Sequence, residues 1–162
     1  MFATPTQLRK EQLIPISLEE AWDFFSRPKN LPLITPPYMQ FNVLTDPREL
    51  EEMYAGQLIK YTVKPVMGIP LKWTTEITQV EHLRFFIDEQ RFGPYKLWHH
   101  QHHFEEVDEG VLMTDIVNYM LPMGPLGLLA RKLFVESQLE DIFEFRFKAV
   151  NDLFAKAEKV IA

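Results

Sequence analysis

From Leu126 to the end of the chain the sequence reads as one long amphipathic helix with a charge inside its apolar stripe. Val135, Leu139, Ile142, Phe143, Val150, Leu153, Phe154 and Ala157 recur at the three-to-four-residue spacing of a helical face. At about 100° per residue, Arg146 falls near the centre of that stripe. Glu140, Glu144, Lys148, Asn151 and Glu158 fall on the opposite side. A guanidinium aimed into a core keeps its charge, so a carboxylate, carbonyls or water must offset its desolvation. Either Arg146 pairs with an acid on a facing strand, or the helix closes a cavity and Arg146 meets the polar end of a ligand.

What that helix covers is set by the preceding segments. Gln7 to Ile14 reads as a strand that Pro15 ends. Ser17 and Glu20 form a capping box, and Ala21, Trp22, Phe24 and Phe25 give the helix it opens an apolar face that Pro28 stops. Asn30 to Ile34 makes a short helical turn before Thr35-Pro36-Pro37. Strands are then predicted over 38–44, 57–64, 71–80, 83–91, 95–107 and 111–120, with an acidic connection over 46–56. Leu71, Trp73, Thr75 and Ile77 alternate cleanly with Lys72, Thr74, Glu76 and Thr78. Gly68-Ile69-Pro70, Gly93-Pro94 and Asp108-Glu109-Gly110 supply turns. The class is therefore α+β: an antiparallel meander of about seven strands, with short helices after the first and one face covered by the long helix. A strongly curved sheet on one long helix leaves a hollow between them.

The 162 residues, 46% hydrophobic and 25% charged, fit a single soluble domain over 1–162. The 13% aromatic share, with 13 Phe, points to a thick core or a lined pocket. A net charge of −6 offers no basic patch for nucleic acid. No segment reads as an integral membrane span or an apolar leader, which makes the cytoplasm the expected compartment. With no Cys, disulfides and thiolate chemistry are excluded.

Further segments stand out: Asn30-Leu31-Pro32-Leu33-Ile34-Thr35-Pro36-Pro37, Gly93-Pro94-Tyr95, Trp98-His99-His100-Gln101-His102-His103-Phe104, Asp115-Ile116-Val117-Asn118-Tyr119, Pro122-Met123-Gly124-Pro125-Leu126-Gly127 and Phe145-Arg146. Together they resemble the START/Bet v 1-like superfamily, also called SRPBCC, and its bacterial ligand-binding branch labelled cyclase/dehydrase. The order of elements matches over nearly the whole length. The resemblance implies the helix-grip fold, a curved sheet wrapped around the C-terminal helix. It further implies a sheet–helix cavity of the kind in which relatives hold lipids, sterols, polyketides or plant hormones; some relatives are aromatase/cyclases.

Chemistry concentrates on one strand. Residues two apart share a face, so Trp98, His100, His102 and Phe104 point together toward the interior and His99 and His103 toward water. A His-x-His pair can supply metal ligands, act as acid and base, or be held by hydrogen bonds to Asp115, Tyr119 or Glu76. Asp115 stands on a strand that is apolar on both faces, so it needs a partner: a histidine or Arg146. His100, His102 and Asp115 are the catalytic candidates. Arg146, Trp73, Trp98, His100, His102, Phe104, Tyr119 and Phe143 are the expected ligand-binding set, with no metal or other cofactor assigned. The glycine-punctuated run from Met120 to Leu129 reads as a gate or as a buried connection.

No phosphate loop, nucleophile elbow or paired-carboxylate motif occurs. The expected function is binding of a small hydrophobic ligand, lipid-, polyketide- or isoprenoid-like. The alternatives are a cyclase/dehydratase on a hydrophobic carbonyl substrate and a protein–protein module with a filled core. A homo-oligomer would shelter the apolar helix, but nothing in the sequence requires one.

Overall fold

Alternation builds the sheet and capping starts the first helix. The computed structural model describes residues 4–64, 68–122 and 125–158, with side chains described outside 125–133 and 156–158. β1 (Thr6–Ile14) leads into α1 (Leu18–Phe25). Ser17 Oγ accepts from the Glu20 amide at 3.2 Å, and Glu20 Oε2 accepts from the Ser17 amide at 3.0 Å, so two otherwise orphaned donors are satisfied. A 3-10 turn over Pro28–Ile34 follows.

The strand expected over 38–44 is largely replaced by something else. Pro36 and Pro37 favour a tight turn, and Pro37–Met39 forms a second 3-10 turn that ends at Gln40 in the left-handed region, φ 43°. Only Asn42–Val43 remains as β2, an edge strand of two residues. A third 3-10 turn, Pro47–Glu49, breaks the acidic connection. The other strands fall close to expectation: β3 (Leu58–Val63), β4 (Leu71–Glu81), β5 (Phe85–Phe92), β6 (Leu97–Val107) and β7 (Gly110–Met120).

The seven strands form one antiparallel sheet in the order β1-β7-β6-β5-β4-β3-β2. Register shifts between Thr74 and Thr75 and between Ile77 and Gln79 bend it at the β4–β5 pair. The β6–β7 hairpin turns through Gly110 at φ +134°, where a Cβ would lie 2.2 Å from the Ile14 carbonyl oxygen; only glycine fits. α2 (Pro125–Glu158) crosses the concave face, and no helix among the described residues is long and apolar enough to cross a membrane. In the run from Met120 to Leu129, expected to be a gate or a buried connection, Met123 and Gly124 lie outside the described residues, as do the side chains from Pro125 onward.

The interior is packed in three patches. Trp22, Phe25, Phe86, Phe104 and Val150 anchor one end, with Trp22 edge-on to Phe104 at 5.6 Å. Val117, Tyr119, Leu139 and Phe143 pack the other, and Leu50, Ile59 and Ile77 close the β3–β4 side. Along α2, Leu139, Phe143, Arg146 and Val150 are buried as the stripe predicts, whereas Leu153 is exposed. Part of the polar side also has partners. Glu140 pairs with Lys10, and Asn151 Oδ1 accepts from Gln12 Nε2 at 3.0 Å. Gln12 Nε2 also donates to the Phe147 carbonyl at 3.0 Å, so β1 grips the flank of the helix through polar groups.

Candidate functional site

The three packed patches bound a cavity of about 580 Å³ between the sheet and α2. That size suits a small organic ligand. Its wall is chiefly apolar: Ile59, Tyr61, Trp73, Ile77 and Trp98 from the sheet, Phe25 and Ile34 from the first helical segments, and Leu139, Ile142 and Phe143 from α2. Tyr61 stacks on Trp73 at 5.8 Å and its hydroxyl lies 3.1 Å from Thr75 Oγ1. Burial pushes the Tyr61 and Tyr95 phenols far above their ordinary range, so both stay neutral.

In this wall Asp88, His100, His102 and Arg146 stand together as a charged cluster, apart from the polar Arg27, Asn30, Thr35, Thr75 and Gln138 that also line it. Register explains their meeting. His100 lies opposite Asp88 of β5, and His102 lies opposite Asp115 of β7. The His100 Nε2–H donates to Asp115 Oδ1 at 2.9 Å, and the His102 Nε2–H donates to Asp88 Oδ2 at 2.9 Å. His102 Nδ1 is also 2.9 Å from Asp115 Oδ1, but off the hydrogen-bond direction. His100 Nδ1 lies 3.5 Å from Asp88 Oδ2. Arg146 Nη1 reaches Asp115 Oδ1 at 3.2 Å, and Nη2 lies 3.6 Å from Met113 Sδ. The guanidinium also sits over Phe25 and Phe143, at 5.4 and 5.7 Å from the ring centres.

The cluster balances its own charge. Burial works against an ionised Asp115, but the Arg146 charge, the hydrogen bond from His100 and the His102 ring close by hold its carboxyl well below the usual range. Asp88 is likewise held down against burial, mainly by the His102 hydrogen bond. The two histidines part ways. Burial and the neighbouring His102 push His100 down, while the Asp115 carboxylate 2.9 Å away and the hydrogen bond to Asp88 overcome burial and push His102 up. The rise favours a proton on His102, which with Arg146 offsets the two carboxylates, and the fall favours a neutral His100 ring.

Of the residues expected from sequence, Trp73, Trp98, His100, His102, Phe143 and Arg146 line the cavity. Asp115 lies behind the histidines, buried and outside the wall. Phe104 and Tyr119 do not reach it. Phe104 shares the His102 face but is one step nearer the end that Trp22, Phe25 and Phe86 fill. Tyr119 is stacked edge-on to Tyr95, 6.0 Å away, under the packed end that holds Val117 and Leu139. Glu76 pairs with Arg91, far from the histidine role considered for it. His99 and His103 point to the other face as expected but are half-buried, with His99 Nδ1 unpartnered and His103 bonded to Gln101. Asp88 is the residue that sequence reasoning missed. Its signal was the period of two that puts it on the Phe86 face of β5.

The chain is similar in fold to TTHA0849 from Thermus thermophilus, at 20% identity and a TM-score of 0.67 over 94% of this chain and 99% of that one. Ginseng major latex-like protein 151 from Panax ginseng is similar at 14% identity, with a TM-score of 0.66 over 94% and 99%. A nucleoside-diphosphate sugar epimerase from Corynebacterium glutamicum is 23% identical, with a TM-score of 0.62, over 90% of this chain but 28% of its own. Among curated proteins none matches. The family model described as polyketide cyclase / dehydrase and lipid transport matches residues 14–161. With that match over nearly its whole length and a helix-grip sheet and helix to go with it, the chain belongs to this family of the SRPBCC superfamily.

Proposed function

We propose that the domain binds one small hydrophobic molecule, lipid-, polyketide- or isoprenoid-like, with its apolar body against Trp73, Trp98, Ile142 and Phe143 and its oxygen-bearing end at His100 and His102. The observation that carries this reading is the chiefly apolar cavity of about 580 Å³ with the cluster of Asp88, His100, His102 and Arg146 in its wall. Burying apolar ligand surface supplies ~25 cal/mol per Å² before entropic costs. Both His102 nitrogens face carboxylates while His100 Nδ1 is left as an acceptor, which suits a hydroxyl better than a fully charged head. Arg146 already faces Asp115 at 3.2 Å, so its charge is largely spent within the protein. The open interior argues against an interaction module with a filled core.

One further observation favours a cyclase/dehydratase as the second reading. His100 lines the cavity, is backed by Asp115 at Nε2, and is pushed by burial toward its neutral form. That arrangement can take a proton from carbon next to a carbonyl. Native mass spectrometry of the purified chain, followed by solvent extraction, tests the primary reading. One hydrophobic molecule per chain is the expected result. Bare protein that also fails to bind a fluorescent lipid probe would overturn it.

A further inference from the structure

We propose that Asp88 Oδ2, His100 Nδ1 and His102 Nε2 form a binding site for a divalent first-row transition ion such as Zn²⁺, with its remaining coordination positions open to the apolar cavity. The three residues place one ligating atom each within 4.8 Å of one another. Asp88 Oδ2 is 2.9 Å from His102 Nε2 and 3.5 Å from His100 Nδ1. An ion with bonds of about 2.1 Å spaces adjacent ligand atoms roughly 3.0–3.5 Å apart, and the two distances from Asp88 Oδ2 lie close to that spacing. Two imidazoles and a carboxylate favour a borderline transition ion over Mg²⁺ or Ca²⁺, which take oxygen sets.

The surroundings of the three residues carry the argument further than the triad alone. The opposite ring nitrogens, His100 Nε2 and His102 Nδ1, both lie 2.9 Å from Asp115 Oδ1. Asp115 thus stands behind both rings, where a carboxylate fixes the tautomer of a metal-binding histidine. The His100 bond is already aligned. Replacing the His102–Asp88 hydrogen bond by a metal bond frees that ring to turn onto Asp115. Asp88, His100 and His102 all line the cavity while Asp115 does not, so ligand and supporting carboxylates are sorted by position. Arg146 lies against Asp115 rather than against Asp88. With both rings neutral, the two carboxylates and Arg146 leave one net negative charge to meet the ion. A hydroxyl or carbonyl oxygen of a hydrophobic molecule in the cavity would fill an open position.

This inference goes beyond organic-ligand binding and is tested with metal alone, so the two can fail separately. Chelator-treated full-length chain is titrated with Zn²⁺ by calorimetry, and its histidine ring nitrogens are followed by long-range ¹H–¹⁵N NMR. We expect one ion per chain, with His100 Nδ1 and His102 Nε2 shifting while His100 Nε2 and His102 Nδ1 stay protonated. Asp88→Asn and Asp115→Asn should each weaken binding by about 10–100-fold, and His82→Gln should leave it unchanged. If a variant does not fold, the NMR readout on the native chain decides. Shifts confined to His82, His99 and His103, equal affinity in folded Asp88→Asn, or no binding would each overturn the proposal.

Discussion

Asp115 Oδ1 lies 3.2 Å from Arg146 Nη1, and the two residues are only 2% and 8% exposed. β7 and α2 are thereby joined by an ion pair at the wall of a chiefly apolar cavity. The alternatives posed by Arg146 in sequence are not exclusive: it meets an internal acid and also lines the cavity.

Arg146→Met should destabilise the fold by about 3 kcal/mol, near the low end for breaking a buried pair. Two histidine nitrogens would still face Asp115 and share its charge. Adding Asp115→Asn to Arg146→Met should recover part of the loss, because the stranded carboxylate is then gone. Urea denaturation at neutral pH of the two single variants and the double variant measures this. A double variant less stable than Arg146→Met would show that Asp115 is held by its histidines alone.

Stability should fall steeply in acid. Asp115 and Asp88 are held below the ordinary carboxylate pKa of about 3.9 that they regain on unfolding. Their contribution is therefore complete above that value and is lost as pH falls through the folded pKa values. His102, raised, contributes below its ordinary value of about 6.5 and loses this as pH rises; His100, lowered, has the opposite sign. The histidines partly cancel, and the carboxylates dominate the acid limb. Thermal melts of metal-free protein between about pH 2 and 7 should show this, and Asp115→Asn should flatten the limb. An equally steep limb in that variant would place the acid sensitivity elsewhere.

The turn at Gly110 permits a sharper substitution. Gly110→Ala puts a Cβ 2.2 Å from the Ile14 carbonyl at a φ of +134°. The backbone of β1 cannot yield as a side chain would, so the loss should reach about 3 kcal/mol or more. Ala at Gly56, where φ is +91° but nothing stands within 4 Å, should cost less. Denaturant midpoints of the two variants compare strain plus collision with strain alone.

Period and punctuation made the sheet legible. The capping box at Ser17, the alternation through Trp73 and the turn at Gly110 all act within a few residues, where sequence carries the physics. The 38–44 strand misled because its apolar residues outweighed two prolines whose effect is local backbone geometry. The site was legible by halves. His100, His102 and Asp115 share a face with apolar neighbours, but Asp88 joins them only through the β5–β6 register. Register between two strands is fixed by their turn and by the packed whole, not by the alternation within either strand. The same limit separated Trp73 from Phe104: alternation shows which face points inward, not where along the face packing ends and the cavity begins.

That boundary can be tested directly. Phe104 is buried among Trp22, Phe25 and Phe86, so Phe104→Ala should cost about 3–5 kcal/mol by opening a void in a packed region. It should leave the affinity of the folded protein for a fluorescent lipid probe unchanged. Trp73 is only partly buried and forms part of the cavity wall beside Tyr61, Tyr95 and Trp98. Trp73→Ala should cost less stability yet weaken probe binding at least about tenfold, or ~1.4 kcal/mol. Probe titration and urea denaturation on both variants make the comparison. Equal loss of binding in the two would mean that the hydrophobic site extends to the Trp22 end of the core, and that Phe104 belongs to it after all.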